Sequence, residues 1–279
     1  MSDGQLYLVA TPIGNLEDIS FRALRILKEV NLIACEDTRR TKQLCNYYDI
    51  KTPLLSYHEH NERDRVDLLI SKLVDGENIA VVSDAGTPAI SDPGTVIVKA
   101  AITNGIKIIP IPGPTAFTSA LIASGLNTEG FFFAGFLPRK SKLRQELLSK
   151  LKYNEYTTIF YVSPHRYNDV IKDIVKCWDK QRDAVVAREL TKVYETFLRD
   201  KIGSEAVLNY RPKGEICLVV SGSLESKTDI EQNPLNNLTV LDHYESYINR
   251  GMERKQAIKQ VAKDRALKRS EVYDILFKN

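Results

Sequence analysis

Short apolar runs alternate with amphipathic stretches from the start of the chain. Residues 6–10, 32–35, 54–57, 79–82 and 106–111 are runs of strand length. Residues 20–30, 41–48, 62–74, 94–104 and 115–124, set between and after them, carry apolar positions at helical spacing. Such βα repetition predicts a mainly parallel sheet covered by helices. The pattern pauses near Gly125-Leu126-Asn127-Thr128 and then resumes. Strands are expected at 131–136, 157–162, 183–187 and 216–221, with helices at 142–151 and 167–177. The fold expectation is therefore two α/β domains with a cleft between them, at 1–125 and 126–223. A polar linker at 224–237 and a small C-terminal helical module at 238–279 follow. In the module, Ala257, Ile258, Val261 and Ala262 form an apolar stripe. A second short helix is expected to start at Ser270 as N-cap, with Val272, Ile275 and Leu276 on one face. Joined at 266–269, the pair resembles a helix-turn-helix.

Candidate chemistry collects where strands end, the usual ligand position in an open α/β sheet. The run 79–82 passes directly into Ser83-Asp84-Ala85-Gly86-Thr87-Pro88-Ala89-Ile90-Ser91-Asp92-Pro93-Gly94, in which small residues and turn signals let backbone approach a ligand. Gly94 is placed to start the next helix. The first strand ends in Thr11-Pro12-Ile13-Gly14-Asn15, a glycine-bearing loop without the G-x-G-x-x-G pattern of a dinucleotide site. The second ends in Glu36-Asp37-Thr38-Arg39-Arg40, which offers either acids and guanidiniums at a cleft or a cap for the next helix. The fifth ends in Pro112-Gly113-Pro114-Thr115-Ala116, with Pro114 suited to a helix N1 position. His58 and His60 stand two apart without a third spaced ligand, so no metal is expected, and Glu62 can open a helix.

Composition narrows the setting. The four cysteines, Cys35, Cys45, Cys177 and Cys217, show no C-x-x-C spacing, and Cys35 and Cys217 fall in strand-like runs where a free thiol packs as a small hydrophobe. Met1 to Gln5 leads straight into a strand without the basic and apolar regions of a signal peptide, so a soluble cytoplasmic protein without a membrane association is expected. A net charge of +3 is too small to name a partner, but the clusters are local. Residues 138–152 hold six Lys or Arg against one acid, and residues 249–270 hold eight against two. Such edges attract a phosphate backbone. Tyr7, Phe131, Phe132, Phe133, Phe160 and Tyr161 lie in strand-like runs and read as core rather than as base-stacking residues.

Taken together, Thr11-Pro12-Ile13-Gly14-Asn15-Leu16, Glu36-Asp37-Thr38-Arg39, His58-Glu59-His60-Asn61-Glu62, residues 83–94 and Pro112-Gly113-Pro114 closely resemble the tetrapyrrole-methylase-like class of methyltransferases. Gly135-Phe136-Leu137-Pro138-Arg139-Lys140, Ser163-Pro164-His165-Arg166, Ala187-Arg188-Glu189-Leu190-Thr191-Lys192 and Lys213-Gly214-Glu215 agree with it, so the likeness runs from about residue 6 to 222. The first loop lacks the glycine- and aspartate-rich pattern of the porphyrin enzymes. The resemblance is instead to members that methylate a cytidine ribose in small-subunit (16S) ribosomal RNA.

What the resemblance implies is S-adenosylmethionine held between the two domains of a homodimeric enzyme. It assigns cofactor contacts to Pro12, Asp84, Gly86, Pro88, Thr115 and Ala116 on one side. Phe136, Leu137, Glu189, Leu190 and Gly214 face them on the other. A ribose hydroxyl is a poor acid, and Asp37, His58, Glu62 and Glu189 are the candidates for a base or polariser. Arg39, Arg139, Lys140, Arg166, Lys192, Arg254, Lys255 and Lys259 are the candidates for RNA phosphates. A methyltransferase for a tetrapyrrole or other small acceptor, and a non-catalytic ribosome-binding protein, are the alternatives.

Overall fold

The structure is a computed structural model and describes residues 4–224, 234–265 and 267–277. Five strands, β1 (Gln5–Val9), β2 (Leu32–Cys35), β3 (Leu54–Ser56), β4 (Ile79–Val82) and β5 (Lys107–Ile111), form one sheet in the order β3-β2-β4-β1-β5. Every pairing is parallel, as the βα repetition requires. Period-2 alternation sorts the side chains. Val9, Ile33, Cys35, Ala80 and Val82 pack on one face with Ala23, Ile26 and Leu27 of α1 (Phe21–Glu29) and Cys45 of α2 (Thr38–Tyr47). Leu6, Ala34, Ile79 and Val81 pack on the other with Leu69 and Leu73 of α3 (Glu62–Val74) and Ile97 and Ala101 of α4 (Thr95–Thr103). Gly94 caps α4 at φ 145°, where a side chain is disfavoured. Cys35 and Cys217 are buried thiols, 0% and 3% exposed.

The next helix, α5 (Ala116–Ile122), has Thr115 as its N-cap residue, so Pro114 lies one residue before the cap rather than at N1. Its buried residues Ala120 and Leu121 pack on the second sheet with Ile159, Val185, Cys217 and Val219. That sheet has the order β6-β7-β10-β8-β9, from β6 (Phe131–Phe136), β7 (Thr157–Val162), β8 (Asp183–Arg188), β9 (Thr196–Lys201) and β10 (Ile216–Val220). Only β6 and β7 pair in parallel. The others run antiparallel, and the edge strand β9 was not foreseen. Its far face buries Phe160, Val162, Val186 and Leu218 against α6 (Ser141–Lys150), α7 (Tyr167–Cys177) and the single turn α8 (Glu205–Leu208). Phe160 is core, as expected, whereas Phe131 and Phe132 are 45% and 42% exposed.

A buried ion pair fastens α6 to α7. Arg144, whose side chain is 4% exposed, meets Asp173 at 2.6 Å and also donates to the carbonyls of Pro138 and Arg139 at 3.1 Å. This lysine- and arginine-rich segment thus presents one charge fewer than its sequence suggests. Arg144→Met leaves a buried carboxylate short of its partner and is expected to lower stability to urea by about 3–5 kcal/mol. Adding Asp173→Leu should return most of that loss.

Three helices close the chain: α9 (Val240–Asn249), α10 (Arg254–Asp264) and α11 (Arg269–Phe277). Only the last two were expected. Ser270 is inside α11, and the residue before the helix, Lys268, is satisfied by the Glu271 carboxylate on its N–H at 2.7 Å. Of the expected linker, residues 225–233 lie outside the described residues. Pro234–Asn237 is a 3-10 turn that joins the module, with the Asn236 amide donating to the Asp264 carbonyl at 2.7 Å.

The module is built around a polar centre. His243 is fully buried, with Nε2 3.1 Å from Asp264 and Nδ1 accepting from Arg265 Nε at 3.0 Å. This places the proton on Nε2 of a neutral ring. Burial, then the Arg265 charge, holds its pKa below the ordinary value, against the pull of Asp264. The unfolded chain takes the proton more readily, so this contribution is full above about pH 6.5 and is lost as pH falls below it. Amide protection in α9, taken relative to the intrinsic exchange rate at each pH, should fall between pH 7 and 5, and His243→Gln should flatten that dependence.

Candidate functional site

The C-terminal ends of β1, β2, β4 and β5 open onto loops that hydrogen-bond to one another. Thr11 and Gly86 exchange two backbone hydrogen bonds, of 2.9 and 3.0 Å, joining the loops after β1 and β4. The Thr11 hydroxyl donates to Ser83 O at 3.1 Å and the Ser83 hydroxyl to Gly86 O at 3.0 Å. Thr87 Oγ1 donates to Pro114 O at 3.1 Å and lies 2.7 Å from Thr115 Oγ1, which ties in the loop after β5. The Asp84 carboxylate accepts from Asp37 N–H at 2.9 Å, which ties in the loop after β2. Ala89 and Ser91 sit at φ 66° and 62°, conformations that cost on the order of 1–3 kcal/mol each and persist where surroundings impose them.

The second sheet supplies the facing wall. A cleft of about 440 Å³ lies between the two, within the range of about 300–1,000 Å³ usual for small-molecule sites. Tyr161 and Ser163 line it at the end of β7, and Leu190 at the end of β8. The Tyr161 hydroxyl accepts from Phe117 N–H at 3.3 Å, holding α5 to this wall, and burial pushes its pKa up to about 12. Next to the lining residue Ile13, Gly14 packs closely on the segment after β8. A Cβ there would fall 2.7 Å from Thr191 Oγ1, which accepts from Asn15 N–H at 3.0 Å.

The interior is acidic. Glu36, Asp84 and Asp92 all line the cleft. Burial, then the charges of Glu36 and Asp84, pushes Asp92 up to about 7, against a Ser83 hydrogen bond. Burial and Asp84 likewise raise Glu36. Arg40 is the cation at this edge, 3.5 Å from Asp84. An enclosed excess of carboxylate suits a cationic ligand.

Of the residues foreseen, Asp84, Gly86, Thr115, Ala116, Phe136 and Leu190 line the cleft. Pro12, Pro88 and Leu137 adjoin lining residues in the chain. Glu189 and Gly214 brace one another behind the wall. The Glu189 carboxylate accepts from Glu215 N–H at 2.8 Å and Lys192 Nζ at 3.0 Å, which hold it ionised below its ordinary pKa. A Cβ at Gly214 would stand 2.2 Å from it. Asp37, His58 and Glu62 are outside the lining. Asp37 caps α2 through Arg39 N–H at 2.8 Å and binds the Arg39 guanidinium, bringing its pKa down to about 2. His58 N–H donates to Asn61 Oδ1 at 2.8 Å, and Glu62 opens α3. Among the described residues no group of three His, Cys, Asp or Glu is placed to hold a metal ion.

Two of the foreseen phosphate contacts are engaged within the protein. Arg166 donates to the carbonyls of Leu137 and Pro138 at 3.0 and 2.6 Å, and Lys192 pairs with Glu189 and with Glu215 at 2.9 Å. Arg139, Lys140, Arg254, Lys255 and Lys259 are exposed, and Arg39 is exposed but paired with Asp37. Glu36, Arg40, Asp92, Ser163 and Glu215 stand in segments the sequence singles out without a role for them, and Tyr161 reads there as core; all six line the cleft. The strand-end rule that singled out the loop after β4 also covers Tyr161 and Ser163, so Tyr161 is a wall of the cleft rather than plain core.

The profile of the tetrapyrrole (corrin/porphyrin) methylases matches residues 5–205. The chain belongs to this family. Solved structures of similar fold include the methyltransferase CobJ, at 16% identity and a TM-score of 0.61 over 79% of this chain and 95% of that one. Another is the uroporphyrin-III C-methyltransferase of Thermus thermophilus in complex with S-adenosylhomocysteine, at 16% and 0.56 over 78% and 97%. A much nearer relative by sequence is the ribosomal RNA small subunit methyltransferase I of Halalkalibacterium halodurans, 52% identical over 98% of this chain and 94% of that protein. The protein of that name from Bacillus subtilis is 47% identical over 97% and 93%.

Proposed function

We propose that the protein is an S-adenosylmethionine-dependent methyltransferase acting on the ribose 2′-oxygen of a cytidine in small-subunit ribosomal RNA. The observation that carries this reading is the extent of the likeness. CobJ uses 95% of its own length yet leaves about a fifth of this chain unmatched, close to the share held by the linker and the helical module. The ribosomal relative runs through 98% of the chain and so through that module as well. A small acceptor gives no reason for a basic appendage, whereas a polynucleotide does.

The cleft fits the cofactor on its own chemistry. Asp84 and Asp92 suit its positive charge, the Thr115 hydroxyl its polar edges, and Ile13, Phe136 and Leu190 a flat ring. Gly86 keeps backbone rather than side chain at the turn. When bound, S-adenosylmethionine supplies a methyl group already activated by the sulfonium. The chain's own residues then orient the acceptor and exclude water. Acids line the inside of the cleft, while Arg139 and Lys140 stand exposed at the start of α6, where they can hold phosphates flanking the target nucleotide.

A cytoplasmic homodimer belongs to the same proposal, as an expectation from the family resemblance. No helix among the described residues is long and apolar enough to cross a membrane. Offering purified small ribosomal subunits and a reduced tetrapyrrole as competing acceptors of labelled methyl tests the reading. Label is expected in the RNA; label in the tetrapyrrole alone would overturn it.

A further inference from the structure

Asp37 and Glu189 are engaged with cations and backbone N–H groups, and His58 and Glu62 do not line the cleft, so none of the expected groups is free to take a proton there. Glu36 is different. It lines the cleft at the end of β2, half-buried, and its carboxylate makes no hydrogen bond or ion pair to the described residues, which leaves it open to the cleft. Its neighbour in sequence, Asp37, turns away to cap α2, so the backbone after Cys35 sends one acid into the cleft and the next out of it.

Glu36 and Asp92 also differ in depth. Asp92 is held toward the floor, beside the buried Ser83. Glu36 faces the charges of Arg40, whose side chain is 67% exposed, and of His58, on the open side where a polynucleotide must approach.

We propose that Glu36 is the general base of the transfer and accepts the proton of the acceptor ribose 2′-hydroxyl. This rests on the function proposed above. The acceptor oxygen gains the methyl group as the sulfur–methyl bond breaks with its electron pair left on sulfur. The hydroxyl proton passes to the Glu36 carboxylate and from there to water. The groups that set the titration of Glu36 are Asp84 and Asp92 from the loop after β4, Asp37 and Arg40 at the start of α2, and His58 after β3. Burial, then Asp84, raises its pKa from the ordinary value, against Arg40 and His58, which moves it toward the pH at which a base is most effective.

The test compares wild type, Glu36→Gln and Glu36→Asp. It uses isolated small subunits with saturating cofactor, and S-adenosylhomocysteine binding is followed separately by calorimetry. Glu36→Gln is expected to lower kcat on the order of 10²–10⁴-fold and to remove the acid limb of the kcat–pH profile. Cofactor Kd and thermal unfolding should stay within about threefold and a few degrees of wild type, and Glu36→Asp should restore part of the rate with a shifted limb. Glu36→Gln turning over within twofold of wild type would overturn the proposal. So would a weakened cofactor Kd with kcat recovered at saturation, which would make Glu36 a cofactor ligand. A wild-type enzyme that binds cofactor and leaves subunits unlabelled would instead overturn the proposed function.

Discussion

Gly86→Trp is expected to abolish cofactor binding, raising the Kd for S-adenosylhomocysteine more than about 100-fold, or roughly 2.7 kcal/mol. Gly86 stands at φ 90° and exchanges backbone hydrogen bonds with Thr11 at the junction of two cleft loops. A Cβ there would sit 3.3 Å from Ile13 Cγ2, itself a lining atom, so an indole grows into the space the ligand needs. The left-handed backbone adds a strain of about 1–2 kcal/mol for any side chain. Gly86→Ala separates the two effects. It carries the strain but leaves the cleft open, so its affinity should fall less than tenfold. Undiminished binding by a folded Gly86→Trp protein would remove this loop from the site.

Replacing Arg254, Lys255 and Lys259 together by glutamine is expected to lower kcat/KM on small subunits on the order of 100-fold while leaving cofactor affinity unchanged. All three are exposed in the first two turns of α10, the helix that carries Ala257, Val261 and Ala262 into the core of the module. No acid occupies the first turn of that helix, and positive charge at a helix N-terminus is unfavourable to the helix itself. Beyond the N-cap Glu253, an external anion such as a phosphate would offset that cost, which is the basis of the expectation. If each meets one phosphate, the slope of log affinity against log salt should fall by about three. Unchanged activity and salt dependence would make the module a structural appendage.

The parallel sheet was legible because β1, β2, β4 and β5 are short, continuous apolar runs bounded by turns, and burial on both faces is what such runs encode. The strand β9 was not, because Arg199, Asp200 and Lys201 on a half-exposed edge resemble a loop. The helix α9 escaped for a related reason. Its buried face holds His243 and Tyr244, and His243 is satisfied by Asp264 and Arg265, partners more than twenty residues away.

At the site, the loops were legible and the division of labour within them was not. Glu36 and Asp37 are adjacent acids of equal promise, and only the turn of the backbone decides which caps a helix and which faces the cleft. Arg166 and Lys192 look like phosphate ligands for the same reason that makes them good internal braces. A cation satisfies carbonyls and carboxylates from distant segments, and the identity of those partners is not local information.

The most direct measurement is transfer of labelled methyl from S-adenosylmethionine to small ribosomal subunits isolated from cells lacking this gene, followed by nucleoside mass spectrometry of the digested RNA. A new 2′-O-methylcytidine carrying the label is the expected result, since it reports the acceptor class and the acceptor atom together. Label on a base, or none in the RNA from an enzyme that binds its cofactor, would contradict the assignment of this protein as a ribose methyltransferase of the small subunit.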